Sequence, residues 1–286
     1  MKLGITMEGG ASRTSFSCGV TDAFLEEDLM PDYFIGVSAG IAFGMSYLSK
    51  QKGRNLELMQ KFMPDKRYAG FRHLFNRKNK SFYNIPFVFD EIPRKLLPFD
   101  YEAFENFKGQ VVAAVTNIHT GKAEYLNVPR NPQHFHLITA SCALPVFFQP
   151  VKVGKRYYLD GGIADSIPYK QAIGAGCDKN IIILTREQGY VKTKERGSGA
   201  SMRLYKRYPN LAESLKRRPA EYNATIAELW AAHERGEVFV IAPETTFGMG
   251  RTESRAEKLT RLYEEGYRYA KEIMPELKAY LAKDNI

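Results

Sequence analysis

The sequence predicts an α/β domain built on a mainly parallel central sheet, and three observations carry that prediction. The first is the order of the opening runs. Lys2 to Met7 reads as a strand. Residues 14–29 place Phe16, Val20, Ala23, Phe24 and Leu29 at helical spacing, opposite Glu26, Glu27 and Asp28. Asp32 to Ile35 is a second apolar strand, and Ile41 to Leu48 has the length of a helix. Strand, helix, strand, helix in that order implies parallel pairing. The second observation is a set of later apolar runs, Gln110 to Thr116, Ile181 to Leu184 and Val238 to Ile241, that read as buried strands. The third is Gly36-Val37-Ser38-Ala39-Gly40, standing between the second strand and its helix.

The remaining elements follow in order. Residues 54–63 form a short helix. From Pro64 to Phe99 the pattern loses its period and gains Pro86, Pro93 and Pro98, which suits an irregular cap. Lys122 to Val128 can pair with the strand at 110–116 across the turn Thr120-Gly121. Pro132 to Ala143 reads as a helix ending before Pro145. Residues 150–153 and 156–159 make a hairpin around Gly154-Lys155, closed by Asp160-Gly161-Gly162. A helix begins at Pro168, with proline in its first turn; another runs from about Asn210 to Gly236; and residues 253–283 hold one or two amphipathic helices. Neither an internal repeat nor a flexible linker interrupts the chain. The expectation is one domain over residues 1–286 with insertions at about 64–100 and 190–235.

With 286 residues, 44% of them apolar, the chain can bury a large core. Its opening apolar run is broken by Glu8 and is too short for a signal peptide. No window approaches the ~20 apolar residues of a membrane span. The expected location is cytoplasmic, or peripheral at a membrane. Cys18, Cys142 and Cys177 are odd in number and widely spaced, so they read as small buried filler rather than a disulfide or metal framework. The formal charge of +9 concentrates in residues 64–83 and 190–218, where cations alternate with aromatics such as Tyr68, Phe71, Phe75, Tyr205 and Tyr208. Such segments suit an anionic membrane surface or a nucleic-acid backbone, or are solvated loops. No nucleic-acid recognition fold accompanies the charge.

Three stretches bear on chemistry. A serine between strand and helix, with glycine two residues either side, matches a nucleophile elbow: the backbone turns sharply at Ser38, Gly36 and Gly40 leave room for neighbouring chain, and the hydroxyl stands at a helix N-terminus. Gly9-Gly10-Ala11, directly after the first strand, exposes backbone N–H groups suited to an oxyanion, a phosphate or a plain tight turn. It lacks both G-x-G-x-x-G and the Walker lysine. Asp160 ends a strand and is followed by Gly161 and Gly162, which permit close backbone approach. An α/β-hydrolase triad needs a histidine beyond the acid. Only His233 follows Asp160, in a helix that reads as surface.

Together these residues resemble the patatin-like phospholipases, lipid acyl hydrolases with a Ser-Asp dyad and no catalytic histidine. Glu8-Gly9-Gly10-Ala11-Ser12-Arg13 is similar to their glycine-rich oxyanion loop, Gly36–Gly40 to their elbow, and Asp160-Gly161-Gly162 to their Asp-Gly-Gly. Residues 116–121 and 140–148 also resemble family segments, so the similarity spans about residues 1–185. Ala11 and Thr14 stand where the family usually has glycine, and Asn117 where aspartate is common.

The resemblance implies a three-layer α/β/α fold with cap insertions, and a serine esterase of phospholipase A type. Ser38 would be nucleophile and Asp160 proton acceptor. The N–H groups of Gly9, Gly10 and Ala11 would form the oxyanion hole, with Arg13, Gly36, Gly40, Gly161 and Gly162 in support. Arg13 would hold the loop or meet a phosphate. No metal or organic cofactor is implied. The expected partners are a lipid or phospholipid substrate and a membrane surface, with no nucleic acid; a weakly active lipid-binding or regulatory module is the alternative. Head-group and acyl preference would be set by residues 64–100 and 190–235.

Overall fold

The computed structural model describes residues 1–76, 79–131, 135–193, 199 and 203–283. Eight strands form one sheet: β1 (Leu3–Met7), β2 (Tyr33–Val37), β3 (Gln110–Asn117), β4 (Ala123–Asn127), β5 (Val151–Val153), β6 (Arg156–Asp160), β7 (Lys179–Ile183) and β8 (Phe239–Ile241). Their order is β5-β6-β3-β2-β1-β7-β8, with β4 also paired to β3. The β3-β2-β1-β7-β8 portion is parallel throughout, and β4, β5 and β6 add antiparallel pairs at the other end.

Helices cover both faces. They are α1 (Ser15–Glu26), α2 (Ala39–Leu48), α3 (Arg54–Lys61), α4 (Tyr101–Asn106), α5 (His136–Ser141), α6 (Tyr169–Gly174), α7 (Pro209–Glu234), α8 (Ala256–Glu272) and α9 (Met274–Ala282). The period-2 alternation of the strands sorts the core. Leu3, Ile5 and Met7 of β1, with Ile181 and Ile183 of β7, pack with Phe16 and Phe24 of α1 and Leu259 and Leu262 of α8. Ile182 and Val240 point the other way, toward Tyr169 of α6 and Tyr222 and Leu229 of α7. A parallel sheet covered on both sides explains why these strands read as continuous apolar runs.

Two segments differ from their expected form. Residues 64–99 carry a 3-10 turn at Phe71–Phe75 and a π-helix at Phe87–Leu96 with Pro93 inside it. Bonding from i to i+5 widens the turn, so its apolar residues do not recur at α-helical spacing. The long helix α7 lies on the sheet, so the C-terminal part of 190–235 belongs to the body of the fold. Helix α5 begins at His136 rather than Pro132; residues 132–134 lie outside the described ones, as do basic residues Arg77, Lys78, Lys194 and Arg196.

The terminal helix α8 crosses α1 with backbone against backbone. A Cβ on Gly266 would fall 2.0 Å from the Phe16 carbonyl oxygen, and one on Gly19 would fall 2.0 Å from that of Tyr263. Neither neighbour is a side chain that can swing aside. Gly266→Ala is therefore expected to separate the helices and lower stability by about 1–3 kcal/mol, read as a fall of several degrees in Tm by differential scanning calorimetry; an unchanged Tm would contradict this packing.

Candidate active site

The site begins with how β3 is used along one edge. Strand β2 runs parallel beside it and ends with Val37 opposite Ala114. Strand β6 then takes over the same edge from the opposite direction, its last residue Asp160 opposite Val115. The other edge of β3 belongs to β4. Two strand ends therefore meet head to head, and they carry Ser38 and Asp160. Residues far apart in sequence are brought together by one register step on a shared neighbour.

At Ser38 the chain reverses sharply, with φ 54 and ψ −126, a region that costs a non-glycine residue on the order of 1–3 kcal/mol. Three features hold it there. The Ser38 N–H donates to Ser141 Oγ at 2.9 Å, and Ser141 Oγ–H donates onward to the Ala114 carbonyl at 2.7 Å. At Gly36 a side chain would strike the backbone of Ile41, at 2.5 Å from its nitrogen. At Gly40 it would strike the Met7 carbonyl, at 2.4 Å.

Asp160 is 2% exposed. Its Oδ1 accepts from the Gly162 N–H at 2.8 Å. Its Oδ2 is buried without a well-formed hydrogen bond. The Ser38 hydroxyl faces this carboxylate and the Cys142 thiol. Burial pushes the Asp160 pKa up from its ordinary value; the Ser38 hydroxyl and the Arg218 charge oppose that rise without cancelling it. Gly161 lies so close to β3 that a Cβ there would be 2.3 Å from the Ala114 carbonyl oxygen.

The loop after β1 lies beside the elbow. A Cβ on Gly9 would be 2.8 Å from that of Ser38. Ala11 adopts φ 50, the left-handed region that favours glycine. Among the described residues, no hydrogen bond uses the N–H of Gly9, Gly10 or Ala11. The loop is pinned from outside: Ser12 N–H donates to the Arg251 carbonyl, and Ser12 Oγ–H to the carbonyls of Arg251 and Glu253. Glu8, next to the loop, accepts from the Thr185 N–H and hydroxyl through Oε2 and from the Tyr222 hydroxyl through Oε1.

Comparison with known proteins places the domain in a family. The family model described as Patatin-like phospholipase matches residues 5–173. The chain belongs to the patatin-like phospholipase family. A second model, described as a domain of unknown function (DUF6363), matches residues 208–282. An uncharacterized protein of Escherichia coli K12, YjjU, is 25% identical over 189 residues, which cover 64% of this chain and 52% of that protein. The chain thus spans about half the length of that curated relative. Among solved structures, VipD from Legionella pneumophila superimposes with a TM-score of 0.45 at 12% identity, covering 96% of this chain and 67% of that one.

In this patatin-like domain Ser38 opens onto two cavities that share only Ala11, Ser38 and Leu144. One is mainly apolar, lined by residues such as Phe43, Met45, Leu58, Phe99 and Ile138. The π-helix supplies Val88, Phe89, Ile92 and Pro93 to its wall, so the irregular segment shapes this cavity. The other holds Asp160, Glu8 and, among the described residues, five cations: Arg13, Arg186, Lys192, Arg218 and Arg251. Among the described residues, no histidine lines either cavity. His233 instead sits between Trp230 and Phe239, with Nδ1 near the Val238 carbonyl.

The motif reading named Ser38, Asp160, the 9–11 loop and Arg13, and all of them line the polar cavity. It did not single out Ser141 as the group that ties Ser38 to β3, nor Cys142 as a neighbour of the hydroxyl. Ser141-Cys142 lies inside the 140–148 resemblance, which was the available signal. Arg186, Arg218, Tyr222 and Arg251 carried no motif. The cation-rich composition of 190–218 pointed toward Lys192 and Arg218 without placing them.

The raised pKa of Asp160 has a consequence for stability. A carboxyl whose folded pKa exceeds the unfolded value of ~3.9 penalises the fold once it ionises. That penalty is present above the raised value and disappears as pH falls below the unfolded one. Asp160→Asn keeps the Gly162 contact and carries no charge, so it is expected to raise Tm at pH 7, with the gain shrinking as pH falls toward 4. Melting curves of both proteins across pH 4–8 check this. A lower Tm for the variant throughout would contradict the cost of burying this carboxylate.

Proposed function

We propose that this chain hydrolyses acyl esters of phospholipids or related lipids, with Ser38 as nucleophile and Asp160 as proton acceptor. The observation that carries the reading is the buried Asp160 carboxylate, one oxygen of it without a well-formed hydrogen bond, facing the Ser38 hydroxyl where an apolar cavity meets a cationic one. The acyl chain lies in the apolar cavity. Ser38 Oγ attacks the ester carbonyl carbon as its proton passes to Asp160 Oδ2. The oxyanion that forms is held by the N–H groups of Gly9, Gly10 and Ala11, which have no acceptor among the described residues. Collapse of the intermediate breaks the ester C–O bond, and the leaving alkoxide takes the proton from Asp160. Water then donates a proton to Asp160 and attacks the acyl-enzyme, releasing the fatty acid and restoring Ser38.

Raising the aspartate pKa makes it a better base than a solvated carboxylate. The charge of Arg218 limits that rise. Catalysis needs the ionised form, so activity falls as pH drops through the folded pKa. The acid limb of the kcat/KM profile is expected above the ordinary aspartate range, and Arg218→Gln is expected to move it to higher pH. Hydrolysis of a medium-chain nitrophenyl ester tests the dyad directly. Ser38→Ala and Asp160→Asn are each expected to lose at least about 10³-fold in kcat; full activity in either variant would remove it.

A weakly active lipid-binding or regulatory module is the second reading, favoured by one observation: Ala11 bears a Cβ in the left-handed region where the family usually has glycine. Rapid labelling of Ser38 by a fluorophosphonate supports the hydrolase; lipid binding without labelling supports the module.

Contact with a membrane surface is supported by Phe71 and Phe75, exposed by 70% and 86%. Phe71 packs edge-on against Phe82, and Phe82 against Tyr83, a wall residue of the apolar cavity. Such aromatics gain by entering the acyl boundary of a bilayer. Phe71→Ala with Phe75→Ala is expected to weaken liposome co-sedimentation by about tenfold or more; unchanged partitioning would exclude this surface.

A further inference from the structure

Residues 208–282, the second family match, meet the loop after β1 at two points. The first is the segment between β8 and α8. Its Arg251 carbonyl accepts from the Ser12 N–H at 3.2 Å and from the Ser12 hydroxyl at 2.9 Å, and its Glu253 carbonyl accepts from the same hydroxyl at 2.7 Å. Ser12 is buried, so these bonds are made out of reach of competing water. The second point is Tyr222 of α7, whose hydroxyl donates to Glu8 Oε1 at 3.0 Å. Gly9-Gly10-Ala11 is thus gripped at the residue before it and the residue after it by the 208–282 segment.

The three loop residues are not held alike. A Cβ on Gly9 would fall 2.7 Å from the Val37 carbonyl oxygen, and one on Gly10 would fall 2.6 Å from Thr185 Oγ1. Those two residues are wedged between the elbow and Thr185. Ala11 has φ 50, a region that a residue with a Cβ populates roughly tenfold less than its ordinary ones, or lower still. Rotation about its N–Cα bond toward negative φ would turn the Gly10–Ala11 peptide relative to Ser12, and the Ala11 N–H with it. The Ser12 bonds oppose that rotation, because they fix the residue that directly follows the strained one.

We infer that residues 208–282 act as a clamp on this loop, with Ser12 as the positioning residue that keeps Ala11 in the left-handed region the proposed oxyanion hole uses. The inference rests on the acyl hydrolase reading and names what keeps that site in shape. The clamp is itself anchored. Helix α8 begins three residues after Glu253, and α1 begins directly after the 3-10 turn at Ala11–Thr14. These two helices meet backbone to backbone at Gly19 and Gly266, and the Tyr263 hydroxyl donates to Asp22 Oδ2 at 2.6 Å. Loop and clamp therefore lead straight into helices whose close packing fixes where the clamp stands. With glycine at position 11 the left-handed region carries no penalty, and the clamp has no strain to oppose. Dependence on the Ser12 hydroxyl is thus tied to the alanine beside it.

The test is a double-mutant cycle on hydrolysis of a medium-chain nitrophenyl ester, with kcat normalised to the folded fraction from melting curves. In the chain that carries Ala11, Ser12→Ala is expected to lose about tenfold in kcat, the contribution of one buried hydrogen bond, with KM held within about twofold. In the Ala11→Gly background the same substitution is expected to cost less than about threefold. A merely structural role costs the same in both backgrounds, so an equal loss, or no loss in either, overturns the inference. Ser12→Cys keeps the volume and weakens the donor, so it reads the same coupling should Ser12→Ala fail to fold; about threefold is expected with Ala11 and no measurable loss with Ala11→Gly. Hydrogen exchange over residues 8–16, followed by mass spectrometry, reads the clamp without activity. Ser12→Ala is expected to speed exchange there about tenfold or more, and unchanged exchange overturns the clamp. Should Ser38→Ala keep full activity, the acyl hydrolase reading fails and this inference falls with it. Should Ser38→Ala be inactive while the cycle shows equal losses, that reading stands and the clamp alone falls.

Discussion

The structure depends on one constraint: two strands with opposite directions end against each other on the same edge of β3. Val37 faces Ala114 and Asp160 faces Val115, so the step from one pair to the next is a single residue of β3. Because strand register is fixed wherever both faces are buried, this juxtaposition is as firm as the sheet itself. Loops alone could not position a hydroxyl and a carboxylate so closely without paying conformational entropy. The sheet has already met that cost through Ile35, Val112 and their neighbours in the core.

Strain and desolvation are concentrated at the same point. Ser38 occupies a backbone region that serine avoids, and Asp160 is buried with one oxygen unpartnered. Each is unfavourable alone, and each is tolerated because rigid neighbours over-determine it. Ser141 is the clearest example, since its hydroxyl joins the Ser38 N–H to the Ala114 carbonyl. Features that cost stability and persist at one place are where chemistry is to be sought.

Much of this was legible beforehand because the signals were local. The strand-turn-helix around Ser38 needs small residues at 36 and 40, and the contacts a Cβ would make there with Ile41 and Met7 give the steric reason. Apolar runs such as Ile181–Ile183 read as strands because helices cover both faces of the sheet. The π-helix at 87–96 was missed because its bonding removes the spacing that marks an α-helix. The cations Arg186 and Arg251 were missed for another reason. Convergence on one cavity is a tertiary property, and a basic residue that lines a cavity looks in sequence like any solvated one.

Two segments divide the surroundings of Ser38 between them. Residues 87–96 furnish apolar side chains to one cavity, and residues 186–251 furnish cations to the other. Neither set can be exchanged for the other. The charge that the apolar wall does carry, Arg54, is taken up by the Leu97 and Pro98 carbonyls and the Ser46 hydroxyl; a further charge placed there would need partners of its own. On the proposed reading, an elbow and an acid at fixed register supply the reaction, while walls of opposite chemistry set what is brought to it. Change in substrate preference is therefore expected to arise in those walls, where a substitution leaves the register of β2, β3 and β6 intact.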